Sequence, residues 1–177
     1  MEALLITGKV RKIGVSNFSP KQLQDLIARS TIKPYAHQFE LHPYLQQVDW
    51  VQWHKDHDIH VTAYSPLANL NPIYEAPGKT KDTPPSLLEN EDITKIAKER
   101  GCTNAQVALK WGMGRGTSVI PKSSHADRIQ ENFASLNCIL GVEDYAVVEK
   151  LGHKYLKRFN NPSKGWDVPL YDGLEGV

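Results

Sequence analysis

Hydrophobic and polar positions in this chain switch repeatedly between two spacings, which predicts strands that are each followed by a helix. Short apolar runs predict four strands, at residues 10–15, 35–40, 59–64 and 117–121. Helical spacing predicts helices at residues 1–7, after Ser19 and Pro20, at 48–57, at 91–100, after Thr103 and Asn104, at 126–136 and at 143–156. Strands that alternate with helices predict an α/β fold with a parallel sheet.

Two segments lack either spacing. Residues 69–85 are rich in Pro, Gly, Lys and Asn, so we expect an exposed loop there. The tail from residue 160 to residue 177 carries several prolines and glycines and predicts an irregular surface arm. Gly8 and Gly101 follow helical segments and are expected to end them.

Composition places the chain among soluble globular proteins of one ordinary domain. Its 177 residues can bury a core, and 40% hydrophobic with 23% charged residues is typical of that class. The net charge of +1 gives no reason to expect nucleic acid or a membrane as partner. We find neither an apolar run of membrane-spanning length nor a secretory leader, which predicts a cytoplasmic protein.

The chain contains two cysteines. Cys102 and Cys138 are too few for a disulfide framework and lie within helical patterns. We therefore expect buried free thiols in a reducing compartment.

Polar side chains stand where the first three predicted strands end. Ser16 and Asn17 could hydrogen-bond a carboxamide, and Gln38 could do so from the neighbouring strand. The alternative is that Ser16 and Asn17 only begin the turn toward Pro20. Tyr64 could donate a proton or stack on a flat cofactor, or it could be an aromatic residue packed on the loop.

The fourth predicted strand leads into a cationic helix start. Lys122, Ser123 and Ser124 precede a helix whose N–H groups and dipole attract anions, and Ser124 with Asp127 fits a capping box. Lys122 and Arg128 together could hold a phosphate and stack on an adenine. The alternative is a solvated lysine, a serine cap and a surface arginine. Helical spacing places polar residues on one face and apolar residues on a buried face, the two sets being Arg128, Glu131 and Asn132, and Ile129 and Phe133.

Other catalytic patterns are not found in the sequence. His54, His57 and His60 recur every three residues, but they cross the end of a helix and the start of a strand, and no H-E-x-x-H motif accompanies them. We predict no metal site. Neither a G-x-S-x-G elbow, a P-loop nor a G-x-G-x-x-G motif occurs.

The blocks around these polar residues resemble the aldo-keto reductases, in the order in which that family has them. They look like its barrel strands five to eight and its nucleotide-binding helix, and suggest a fungal-type reductase. The matching blocks are residues 8–18, 37–44, 61–67 and 119–132.

The resemblance implies half of a TIM (β/α)8 barrel and a bound NADP(H) extended across its strand ends. It implies that the carboxamide is held by Ser16, Asn17 and Gln38, and that Tyr64 stacks on the nicotinamide ring. It also implies pyrophosphate contacts from Ser65 and Leu67, and contacts to the 2′-phosphate and adenine from Lys122, Ser123, Arg128, Glu131 and Asn132. A Lys and Arg pair favours NADP(H) over NAD(H), although His125 stands where many members carry a small hydroxyl residue.

The family's catalytic Asp, Tyr, Lys and His come from its first four strands, which we expect upstream of Met1, so no catalytic residue is assigned in this chain. The resemblance implies an NADP(H)-dependent oxidoreductase that reduces aldehydes or ketones, residues 1–160 being the cofactor-binding half and residues 161–177 a C-terminal arm over the substrate mouth. The alternative is an inactive remnant that binds NADP(H) or acts as an interaction or regulatory module. Full-length relatives are expected to be monomers, whereas this half could self-associate through open strand edges.

Overall fold

The fold alternates strands and helices along the chain, as a computed structural model of residues 1–68, 84–161, 163–168 and 170–174 shows. The strands are β1 (Gly14–Ser16), β2 (Ala36–Glu40), β3 (His60–Tyr64) and β4 (Ser118–Val119). The helices are α1 (Ala3–Ile6), α2 (Pro20–Arg29), α3 (Val48–Asp56), α4 (Glu91–Arg100), α5 (Asn104–Gly114), α6 (Ala126–Phe133), α7 (Val142–Lys154) and α8 (Ser163–Trp166), with short 3-10 helices at Leu87–Glu89 and Ala134–Asn137.

The four strands form one sheet in the order β1-β2-β3-β4, which confirms the predicted α/β fold with a parallel sheet. Strands β1 and β2 are parallel, with Ser16 opposite Gln38. The two outer strands are shorter than predicted, because β1 contains three residues and β4 two. Each outer strand has a paired neighbour on one side among the described residues, so fewer backbone hydrogen bonds extend it.

Helix ends follow local signals that the sequence carries. Ser19 and Thr103 each form a capping box, with Gln22 and Gln106 as partners. Gly101 ends α4 with a positive φ of 65°, the conformation that glycine adopts without strain. These helix boundaries are confirmed, and α4 has the predicted bounds.

The chain divides into two compact units. Unit one consists of Met1–Phe39, Gln47–Thr62 and Asn161–Val177, and unit two of Glu40–Gln46 and Ala63–Asn160. The tail differs from the predicted irregular surface arm, because it contains α8 and buries three side chains, those of Leu170, Tyr171 and Leu174. Most of the predicted loop at 69–85 lies outside the described residues. The helices seen among those residues are each too short or too polar to cross a membrane.

A buried pair of histidines lies in the core of unit one. The backbone N–H of Phe18 donates to His37 Nε2 at 3.0 Å, so His37 carries its proton on Nδ1. That Nδ1–H donates to His54 Nε2 at 2.8 Å, and His54 Nδ1–H donates to the carbonyl of Trp50 at 2.6 Å. Every ring nitrogen therefore has a partner while both rings are neutral. Burial lowers the pKa of His37 to about 3 and that of His54 to about 4.

The core of unit two is an apolar cluster around α4, α5 and α7. Ile93, Val107, Trp111 and Val148 are each at most 1% exposed there. Cys138 belongs to the same cluster and is joined to Cys102 by a disulfide, with the two Cα atoms 6.0 Å apart. The prediction of free thiols was therefore wrong, because the fold brings together two helix ends that are 36 residues apart in sequence. These cysteines therefore give no support for a reducing compartment.

The disulfide predicts a loss of stability on its removal. The double variant with Cys102→Ser and Cys138→Ser should have a free energy of unfolding that is lower by about 4 kcal/mol, because the unfolded chain regains the freedom of a 36-residue loop. Urea unfolding followed by circular dichroism measures the change. Dithiothreitol should shift the wild type by a similar amount and leave the double variant unchanged; equal stability of oxidised and reduced wild type would contradict the prediction.

The histidine pair predicts acid sensitivity. The unfolded chain binds protons at both histidines near pH 6.5, whereas the folded chain takes them up only near their lowered pKa values of about 3 and about 4. Stability is therefore full above pH 6.5 and is lost as the pH falls, by about 2 kcal/mol for each histidine between pH 8 and pH 5. Urea unfolding at the two pH values measures the loss. His54→Gln should halve it, and the exposed control His153→Gln should not change it.

Candidate functional site: the polar strand ends

The exit of β1 brings together the three residues predicted to hold a carboxamide. Ser16 lies opposite Gln38 in the β1–β2 register, and the Asn17 N–H donates to the Gln38 carbonyl at 3.0 Å. Asn17 has a positive φ of 56°, a region that asparagine tolerates better than most residues. Its side-chain Oδ1 is buried and accepts no hydrogen bond within the described part of the chain. This exit therefore holds a buried acceptor on a residue whose backbone is fixed to Gln38.

Two contacts hold that exit in place. His37 accepts the N–H of Phe18, the residue after Asn17, and Ser19 caps α2 immediately afterwards. Because His37 is fully buried, the backbone at Phe18 is tied to the core of unit one. The turn from β1 into α2 is thus fixed on both sides of Phe18.

The exit of β3 has the same backbone form in unit two. Tyr64 ends the strand half-buried, and its carbonyl accepts the N–H of Leu41 at 3.3 Å. Ser65 then adopts a positive φ of 47°, and its carbonyl accepts the N–H of Ala68 at 2.9 Å. Ser65 Oγ also accepts a hydrogen bond from Asn160 Nδ2 at 3.3 Å. Leu67 packs against the apolar cluster of unit two.

The start of α6 differs from the predicted capping box. The N-cap residue is His125, and no side chain caps the helix within the described residues. Ser123 Oγ instead accepts the N–H of His125 at 3.1 Å, so the prediction for Ser124 and Asp127 was wrong. The helix therefore begins one residue later than a Ser124 cap requires.

Lys122 and Arg128 are the two cations of this segment. Both side chains are exposed, and none of the ion pairs found among the described residues involves them. The structure places both cations on the surface at the start of an uncapped helix, which attracts anions.

The later residues of α6 point in two directions. Glu131 Oε1 accepts from Thr103 Oγ1 at 2.6 Å, so Glu131 is bound to the start of α5. Ile129 and Phe133 are 51% and 75% exposed, which overturns the predicted buried face. They line an apolar groove of about 370 Å³ with Asn132 and Val119, because no other described element covers this side of α6.

A buried carboxylate at the end of β2 is not among the predicted site residues. Glu40 is fully buried, and its Oε1 accepts His42 Nε2 at 2.9 Å and the Phe159 N–H at 2.8 Å. Its Oε2 accepts the Asn160 N–H at 2.9 Å. Burial alone would raise the pKa of Glu40, but His42 and the two N–H groups outweigh burial and lower it. The available signal was a glutamate at the end of a strand, two residues before a histidine.

Comparison with known proteins identifies the family of this chain. The family profile described as Aldo/keto reductase family matches residues 1–153, so the chain belongs to the aldo/keto reductase family. It is 45% identical over 177 residues to an uncharacterized oxidoreductase of Schizosaccharomyces pombe, covering 99% of this chain and 52% of that protein.

Two further relatives have more specific names. The chain is 40% identical to an NAD(P)H-dependent D-xylose reductase of Scheffersomyces stipitis, covering 97% of this chain and 53% of that protein. The structure of an aldose reductase from Giardia lamblia superposes with a TM-score of 0.82 at 34% identity, covering 97% of this chain and 54% of that one. The chain thus spans about half the length of the relatives it matches.

Proposed function

We propose that this chain supplies the NADP(H)-binding half of an oxidoreductase that reduces aldehydes or ketones to alcohols. The observation that carries the proposal is the β1 exit, where the buried Asn17 Oδ1 has no hydrogen-bond partner among the described residues and Asn17 follows Ser16, the residue opposite Gln38. Membership of the aldo/keto reductase family and relatives named as NAD(P)H-dependent reductases support a nicotinamide cofactor. The proposed architecture is the second half of a (β/α)8 barrel. The proposed location of the protein is the cytoplasm.

The β1 exit fits a carboxamide because the chemistry of donors and acceptors matches. A buried acceptor without a donor is costly, and the carboxamide NH₂ of a nicotinamide would supply that donor to Asn17 Oδ1. The Ser16 hydroxyl and the Gln38 amide can each donate to the carboxamide oxygen. This exit would therefore fix the orientation of the nicotinamide ring.

The proposed residues of unit two act on other parts of the dinucleotide. The Tyr64 ring would stack on the nicotinamide, and Ser65 with Leu67 would line the pyrophosphate. Lys122, Ser123 and Arg128 would hold the 2′-phosphate, since a dianion gains most from charge-assisted hydrogen bonds. Glu131 and Asn132 would contact the adenine.

In the proposed reaction the bound cofactor supplies a hydride to the carbonyl carbon of a small aldehyde or ketone. This chain would bind and orient the cofactor. The proton for the carbonyl oxygen would come from the Asp, Tyr, Lys and His set that the family resemblance assigns to the first four strands of the barrel. Without that general acid, turnover should fall by about 10²–10⁴-fold.

A second candidate function is a non-catalytic module that binds NADP(H) or another chain. The observation in its favour is that β1 and β4 have open edges among the described residues. Open strand edges invite pairing with another chain, including a second copy that forms a half-barrel dimer.

Charge removal tests the cofactor preference. A double variant that carries both Lys122→Ala and Arg128→Ala should bind NADPH at least about tenfold more weakly and bind NADH unchanged, because only NADPH carries the 2′-phosphate. Quenching of tryptophan fluorescence measures both dissociation constants. The matched control is Lys98→Ala with Lys150→Ala, which removes two exposed charges from α4 and α7. An unchanged preference for NADPH would refute the phosphate assignment.

Turnover separates the two candidate functions. The 177-residue chain should bind NADPH but reduce a generic aldehyde such as 4-nitrobenzaldehyde at no more than about 1% of the rate of a full-length relative, since the chain resembles barrel strands five to eight and the family's general acid lies in the first four. Absorbance at 340 nm measures the rate. Adding the upstream half of a relative in trans should restore activity if the chain is half of an enzyme. Binding without any restoration favours the non-catalytic module, and full activity of the chain alone would contradict the missing acid.

A further inference from the structure

The segment that follows α7 is tied to the end of β2 by a series of hydrogen bonds. We call residues 157–160 the clamp segment. The Lys157 N–H donates to the carbonyl of Tyr44 at 3.0 Å, and the N–H groups of Phe159 and Asn160 donate to the two oxygens of Glu40 at 2.8 and 2.9 Å. Three backbone N–H groups of the clamp segment therefore donate hydrogen bonds to acceptors within residues 40–44.

Glu40 is the part of this arrangement that requires a charge. A carboxylate only accepts hydrogen bonds, so the His42 Nε2 must be the donor in their 2.9 Å contact. Three donors thus converge on two fully buried oxygens, and the His42 ring also packs edge-on against Phe159, with ring centres 5.5 Å apart. A neutral amide could accept at only one of these atoms and would direct its own N–H groups toward the other donors.

The clamp segment reaches the proposed cofactor site through one side chain. Asn160, whose backbone N–H is held by Glu40, donates from Nδ2 to Ser65 Oγ at 3.3 Å. Ser65 is the residue with a positive φ at the β3 exit. Glu40 thereby fixes the backbone of Asn160, and Asn160 fixes the hydroxyl of Ser65.

We propose that Glu40 and Asn160 are positioning residues that hold the Ser65 hydroxyl for the pyrophosphate of the dinucleotide. The inference rests on the proposed function. It adds to that function a role for a buried carboxylate that touches no part of the cofactor, and it makes the clamp segment part of the binding machinery. The lowered pKa of Glu40 agrees with a carboxylate that stays charged at neutral pH.

Two ligands separate positioning from general damage to the fold. NADPH contains the pyrophosphate, whereas adenosine 2′-monophosphate contains the adenine and 2′-phosphate without it. Glu40→Gln and Asn160→Ala should each raise the dissociation constant of NADPH about three- to tenfold, the range for losing one neutral hydrogen bond such as that between Asn160 and Ser65. Neither variant should change the dissociation constant of adenosine 2′-monophosphate. Isothermal titration calorimetry on the 177-residue chain measures all of these constants.

Controls make the outcome specific. Asn161→Ala removes the adjacent asparagine, whose Oδ1 accepts the N–H of Ser163, and should leave both affinities unchanged. In a Ser65→Ala background, Asn160→Ala should weaken NADPH binding no further, because both changes break the same contact. Asn160→Ala carries the test if Glu40→Gln does not fold, since it leaves the Glu40 carboxylate and its backbone donors intact.

Three results would overturn the proposal, and they differ from a failure of the proposed function. Unchanged NADPH affinity in Asn160→Ala, equal weakening of both ligands, or a full additive loss in the Ser65→Ala background would each overturn the positioning role. A wild-type chain that binds neither ligand would overturn the proposed function and the positioning role with it. If the wild-type chain binds both ligands and the variants give one of the three results above, only the positioning role is overturned.

Discussion

The arrangement of unit one depends on a buried chain of hydrogen bonds that runs in one direction only. It begins at the Phe18 N–H, passes through His37 and His54, and ends at the Trp50 carbonyl. Each ring must be neutral and must carry its proton on Nδ1, since any other arrangement sets two donors or two acceptors against each other. Because Phe18 directly follows Asn17, this series of hydrogen bonds determines where the acceptor Asn17 Oδ1 lies at the β1 exit. Protonating either histidine would therefore disturb the exit as well as the core.

Unit two holds its strand exit by a different polar group that serves the same purpose. There a buried carboxylate, Glu40, collects backbone donors from the clamp segment, and the segment's Asn160 contacts Ser65. In both units a non-glycine residue with positive φ follows the strand, at Asn17 and at Ser65. Such residues cost of order 1 kcal/mol or more and persist where their surroundings determine them. The buried polar contacts next to each exit hold Asn17 and Ser65 in this backbone conformation.

The parts of the fold that could be predicted from the sequence are those with a local cause. Ser19 and Thr103 each place an oxygen within three residues of the N–H that they cap, so the helix starts were readable. Gly101 ended α4 for an equally local reason. The candidate carboxamide residues were suggested by their polar side chains at predicted strands and then by the family resemblance, and the register sets Ser16 opposite Gln38.

The parts that could not be predicted depend on residues far apart in the chain. Glu40 meets donors 119 and 120 residues later, and the two cysteines meet across 36 residues, distances at which spacing along the chain carries no signal. The exposed face of α6 was missed for another reason. Periodicity identifies an apolar face, but it does not say whether the same chain provides what covers that face. Ile129 and Phe133 have the correct spacing and lie exposed.

That exposed face bears on the choice between the two candidate functions. Phe133 at 75% exposure beside an open groove costs free energy in water, and β4 next to it is an edge strand of the sheet that the described residues form. A binding module that works by itself gains nothing from leaving both uncovered. A half-barrel gains from it, because closing a barrel pairs the edge strands and covers the adjacent helix faces in one step. The apolar surface of α6 therefore supports a chain that acts together with further strands, as the proposed reductase requires.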